Sequence, residues 1–110
     1  ENPEEAALRE LREETGISIT DISRLSPENT LVVSPNRLPM FPSIYSVNVS
    51  ENEFDSRSMH DDEVESVDCV SMNEIKAMIE TGEIITSITL AILGRFILCQ
   101  DFQTVNSSSI

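Results

Sequence analysis

The stretch from Asn2 to Gly16 carries start and stop signals for one helix and crowds acids onto it. Asn2 is an N-cap amide, Pro3 suits the first helical position, and Glu4 and Glu5 face the positive end of the helix dipole. Glu5 stands three residues after Asn2, a loose capping box. Ala6, Ala7, Leu8 and Leu11 give the helix an apolar side, and Gly16 is a natural left-handed stop. Glu10, Glu13 and Glu14 stand at i, i+3 and i+4, so their carboxylates are expected to converge on one patch. Hard oxygen donors of this kind suit Mg²⁺, which keeps coordination sites for water and phosphate. The plainer alternative is a solvated acidic face, with Glu5 and Arg9 as a favourable i,i+4 pair.

Written as a pattern, Glu1, Arg9-Glu10-Leu11, Glu13-Glu14 and Gly16-Ile17 give E-x7-R-E-U-x-E-E-x-G-U, where U is a bulky apolar residue. This resembles the Nudix box, the metal-binding signature of hydrolases that cut nucleoside diphosphates linked to another group. The full box opens with a Gly six residues before its first Glu, and the sequence starts at that Glu.

One domain is the ceiling for 110 residues. The net charge is −13, which argues against nucleic acid as a direct partner. Six acids lie in Glu1–Glu14 and seven in Glu51–Glu65, a basin that a cation could neutralise or a surface kept for solubility. Cys69 and Cys99 have no metal-ligand spacing and are expected as buried structural thiols, without a disulfide. The apolar run Ile84–Leu98 is too short for a bilayer span and is interrupted by Arg95, so it is expected as a packed helix. With no signal peptide visible, the expected compartment is cytoplasmic, with the nucleus as the alternative.

Beyond the first helix, Ile17–Thr20 and Thr30–Ser34 have the β-branched character of strands, joined through a turn at Ser26–Asn29. Pro35, Pro39 and Pro42 forbid a regular element over 34–42. Ser43–Val49 alternates as a half-buried strand, Glu51–Asp62 is expected as a surface loop, and Val64–Val70 as another strand. Ser71 and Glu74 form a capping box opening a helix whose core face is Ile75, Met78 and Ile79, ending at Gly82. A last helix is expected over about Ser87–Leu98. The order fits an α/β sheet covered by helices, with one domain over 1–105 and a frayed tail over 106–110.

Asp61–Glu65, Val67–Val70, Ser71–Glu80 and Gly82-Glu83-Ile84 extend the likeness toward ADP-ribose and ADP-sugar pyrophosphatases, over nearly all of Glu1–Leu98. The resemblance implies an α/β/α sandwich with a mixed sheet whose N-terminal strands are missing here. It implies Mg²⁺-dependent hydrolysis of a nucleoside diphosphate sugar to AMP and a sugar phosphate, with Mn²⁺ as a substitute ion. By position, Glu10 and Glu14 become the main metal ligands, Glu13 completes the cluster, Arg9 orients the carboxylates, and Glu1 supports the box and approaches a metal. The catalytic base falls on Glu63, with Asp61, Asp62 and Glu65 as near alternatives and His60 as an incidental neighbour. The partner implied is a small nucleotide sugar, with no membrane and with a homodimer in the full-length form.

Two departures bear on substrate choice. The box Gly and the region that the family uses for dimerisation and adenine binding precede the first residue. The proline loop has Asn36 where the subgroup often has Gly, and Leu38 and Pro39 where it has an acid. The competing expectations are a non-catalytic Nudix-like binding module and an inactive truncated fragment.

Overall fold

The computed structural model describes residues 1–34, 36, 38–58 and 67–108, the last eight of these as backbone alone. Among them are four α-helices, one 3₁₀ turn and one antiparallel strand pair, a mixed α/β architecture. The chain divides into two compact units, Glu1–Val67 and Asp68–Ile110.

In the first unit, α1 spans Pro3–Thr15. Asn2 Oδ1 accepts the Glu5 N–H at 2.8 Å, and Gly16 closes the helix at φ +77° with its N–H on the Arg12 carbonyl. Both ends therefore follow the start and stop signals. Leu8 on α1, Ile17 and Ile19 form the buried core of this unit, with Leu11, Leu25, Val47, Val49 and Phe54 packed around them.

Gly16 is constrained twice. Its left-handed φ disfavours any side chain, and a Cβ there would overlap the Ser58 carbonyl oxygen. The Ser58 N–H donates to the Gly16 carbonyl at 2.9 Å, so two backbones meet where only a hydrogen fits between them.

The strands differ from the sequence expectation. Ile17 and Ile19 are buried while Ser18 and Thr20 are exposed, so the alternation is real, but the segment pairs with no strand among the described residues. Thr30–Ser34 contributes one bridge, Val33 to Met40, with N···O distances of 2.8 and 3.0 Å. The expected turn at Ser26–Asn29 is instead strand β1, Ser26–Glu28, antiparallel to β2, Ile44–Ser46, in the register Pro27 opposite Tyr45. A two-stranded ribbon has only edges, and an edge tolerates a residue without an N–H.

The expected loop at Glu51–Asp62 begins with a helix, α2, over Glu51–Asp55. The cause is a full capping box, in which Ser50 Oγ accepts the Glu53 N–H and the Glu53 carboxylate accepts the Ser50 N–H. The same carboxylate is gripped from both sides of the Arg24 guanidinium, whose Nη2 also donates to the Asn48 carbonyl at 2.7 Å. Arg57 stacks over the Phe54 ring at 4.0 Å and donates to the Phe54 carbonyl, closing the end of α2.

In the second unit, α3 spans Met72–Glu80 behind the Ser71–Glu74 capping box, with Ile75, Met78 and Ile79 half-buried. Residues 67–70 are irregular rather than a strand; the rest of the expected strand lies outside the described residues. Helix α4 spans Ser87–Ser108, ten residues past the expected end at Leu98, because no Gly or Pro follows to stop it and the expected tail begins as helix. Ile97 is its buried residue among those with described side chains. Cys69 and Cys99 are free and exposed, correcting the expectation of buried thiols: one stands in the irregular segment and the other on α4. Among the described residues no helix is long and apolar enough to cross a membrane.

Gly16 and Gly82 share a left-handed φ, +77° and +81°, but only Gly16 faces another backbone. Gly82→Ala is expected to cost about 1–2 kcal/mol, and Gly16→Ala distinctly more, in urea unfolding. Glu53 supplies a second check. Its carboxyl is lowered from 4.5 to about 2, first by the Arg24 hydrogen bonds and then by the Ser50 N–H. The stabilisation is therefore fully present above pH 4.5 and is lost as pH falls through about 2. The gap in melting temperature between the wild type and Glu53→Gln should close across that window.

Candidate functional site

Helix α1 carries the candidate ligands, and its repeat decides which of them meet. Arg9 and Glu13 are one turn apart, and the Arg9 Nη1 donates to Glu13 Oε2 at 3.0 Å. Glu1, just outside the helix, folds back over the first turns. Its carboxylate takes Arg9 Nε at 2.9 Å and Nη2 at 3.0 Å, a two-pronged grip that uses the planar fork of the guanidinium. Arg9 thus spans two carboxylates eight residues before and four residues after it.

The electrostatic consequences follow the hydrogen bonds. The Arg9 hydrogen bonds hold the Glu1 carboxyl below its usual range. The Arg9 guanidinium is driven further toward its charged form, first by Glu1 and then by Glu13. The Tyr45 hydroxyl on β2 is pushed up, first by burial and then by the Glu4 carboxylate.

Glu10 and Glu14 stand exposed on the same helix. Their donor chemistry suits a hard divalent cation. Yet among the described residues no group of three or more His, Cys, Asp or Glu is placed to hold a metal ion. The expected convergence of Glu10, Glu13 and Glu14 is therefore not what the side chains adopt. Like charges at i and i+4 repel, and Arg9 offers Glu13 a counter-charge in another direction. Hydrogen bonds bring together Arg9, Glu1 and Glu13. Glu63, Asp61, Asp62, Glu65 and His60 lie outside the described residues.

A cleft of about 280 Å³ opens beside this cluster, lined in part by Glu1, Arg9, Arg12 and Ile19. Its walls carry both signs of charge, Arg9 and Arg12 against Glu1 and Glu5, over an apolar floor. The sequence reading missed Arg24 and Glu53, which brace the segment leading to Ser58; Ser50 and Glu53, at capping-box spacing, were the signal that could have found them.

The family model of the NUDIX domain matches residues 1–88. Comparison with curated proteins finds no match, and neither does comparison with solved structures. The matched span contains α1 with all its acids, both strands, α2 and α3.

Arg9→Ala removes the shared counter-charge, so the Glu1 carboxyl is expected to rise toward its ordinary value. An NMR pH titration of the Glu1 side chain checks this; an unchanged midpoint would show that the grip is not held in solution.

Proposed function

The chain belongs to the NUDIX domain family, a family of pyrophosphate-cleaving hydrolases, and on that premise we propose that it hydrolyses a nucleoside diphosphate sugar of the ADP-ribose type to AMP and a sugar phosphate. The observation that carries this reading is the register of Arg9, Glu10, Glu13 and Glu14 on α1, with Glu1 just before the helix and Gly16 at its stop. The likeness of 61–84 to ADP-sugar pyrophosphatases supports the choice of substrate. The family's α/β/α sandwich with a mixed sheet is part of the same proposal, as is action in the cytoplasm.

The family generally uses divalent ions such as Mg²⁺, and Glu10 and Glu14, with Glu13 and Glu1, would hold one here. Mg²⁺ supplies neutralisation of pyrophosphate charge and a more acidic water. Arg9 is a positioning residue: its fork fixes the directions of Glu1 and Glu13 relative to α1. Glu63 accepts the proton of the attacking water as its oxygen bonds to phosphorus, while the bridging P–O bond breaks toward the leaving phosphate. Substrate charge needs cations at the site, and Arg9 and Arg12 line the adjoining cleft.

A second reading, a non-catalytic binding module, is favoured by one observation. Two of the candidate ligands, Glu1 and Glu13, face a guanidinium rather than one another. Turnover separates the two readings.

With ADP-ribose and millimolar Mg²⁺, AMP release is expected, and Glu14→Gln should lower it at least about a hundredfold. Glu63→Gln should lower kcat by roughly 10²–10⁴ with little change in KM. Mg²⁺ should raise the melting temperature of the wild type and raise it less in Glu14→Gln. Nucleotide binding without AMP release would favour the binding module; neither binding nor a Mg²⁺ shift would refute both.

A further inference from the structure

The side chain of Glu13 stands between two competing claims. Along α1 it lies four residues after Arg9 and three after Glu10, so both neighbours are within reach of its carboxylate. Arg9 holds it by one hydrogen bond, from Nη1 to Oε2 at 3.0 Å. We infer that this bond is a latch: Glu13 exchanges Arg9 for a divalent cation shared with Glu10 and Glu14, while Arg9 stays anchored on Glu1. The inference deepens the proposed metal-dependent function and rests on it for the identity of the ion.

Three observations set the direction of the exchange. First, the two grips of Arg9 are unequal. Glu1 receives Nε at 2.9 Å and Nη2 at 3.0 Å, whereas Glu13 receives Nη1 alone. Opening the single bond leaves the guanidinium fork seated on Glu1.

Second, Glu13 can swing. Its side chain is 55% exposed, and the bond to Arg9 is the hydrogen bond it makes among the described residues. A pair this open to water contributes little to stability, so it costs little to break. Glu53 shows the contrast. Two nitrogens of Arg24 and the Ser50 N–H hold its carboxylate, and losing one of them would not release it.

Third, the charge balance reverses with the ion. Without it, Glu10 and Glu14 repel a third carboxylate and Arg9 attracts it, which is the arrangement the side chains adopt. A divalent cation turns the same three acids from mutually repelling groups into a shared set of oxygen donors. Rotation about the side-chain bonds of Glu13 connects the two arrangements, with no change in α1. The contact is autoinhibitory: it lowers the affinity of the site by the fraction of chains in which Glu13 is latched.

The test is a Mg²⁺ titration of the whole chain without nucleotide, followed by NMR of the Arg9 guanidinium and the Glu13 carboxyl carbon. The Glu13 and Arg9 Nη1 signals are expected to shift together and to saturate with the rise in melting temperature. Glu13→Gln should bind Mg²⁺ about tenfold more weakly and show no response of Arg9 to the ion. Arg9→Gln should bind it roughly two- to fivefold more tightly. Arg12→Gln removes an equal charge from the same helix, at a residue without an ion pair among the described residues, and should gain distinctly less. The latch is overturned if the Arg9 signals stay fixed at saturating Mg²⁺, if Glu13→Gln binds the ion as the wild type does, or if the two arginine variants gain equally. A chain that does not bind Mg²⁺ at all sinks the latch and the metal-dependent reading together. Exchange seen in a chain that releases no AMP from ADP-ribose sinks the hydrolase reading alone.

Discussion

The contact between Gly16 and Ser58 is the constraint on which the first unit turns. Helix α1 must end where it does because the next backbone passes at the distance of a missing Cβ. The hydrogen bond from Ser58 to Gly16 then joins two parts of the chain more than forty residues apart. Everything between them, the ribbon, the proline loop and α2, is a loop closed by that contact. Arg24 and Arg57 reinforce the closure near its far end, one by gripping Glu53 and the other by stacking on Phe54. The glycine of the family pattern thus has a physical reason here: it is the place where a side chain would push the backbone of Ser58 away.

Charge organises the remainder. A chain with a net charge of −13 must place its few cations with care, and Arg9 and Arg24 of the first unit are used as clamps. Arg9 gathers Glu1 and Glu13, and Arg24 gathers Glu53 and a backbone carbonyl. These pairs are largely solvent-facing, so salt screens them and their contribution to stability is modest. Their larger effect is directional. A bidentate guanidinium fixes the plane of a carboxylate, and Arg9 does this for Glu1 while a single hydrogen bond turns Glu13 toward it.

What was legible in the sequence followed local rules. Asn2, Gly16, Ser71 and Gly82 mark helix ends through hydrogen bonds within a few residues, and each stands where its side chain or its lack of one requires. The register of the acids on α1 was legible for the same reason. What depended on distant partners was not. Ile17–Thr20 alternates like a strand yet has no partner among the described residues, while Ser26–Glu28 pairs in spite of its proline. Whether Glu13 turns toward Glu10 or toward Arg9 is decided by competing charges that spacing alone cannot rank. The Ser50–Glu53 box was a local signal that the polar composition of 51–62 concealed.

The two exposed cysteines have a consequence of another kind. Cys69 and Cys99 are the chain's whole complement of thiols, and both belong to the unit Asp68–Ile110. A fluorophore or spin label coupled through sulfur therefore reports on that half of the polypeptide, while the half that bears α1 stays chemically silent. The protein arrives with its own address for labelling, and a cysteine introduced into the first unit would need both native thiols replaced before its signal could be read alone.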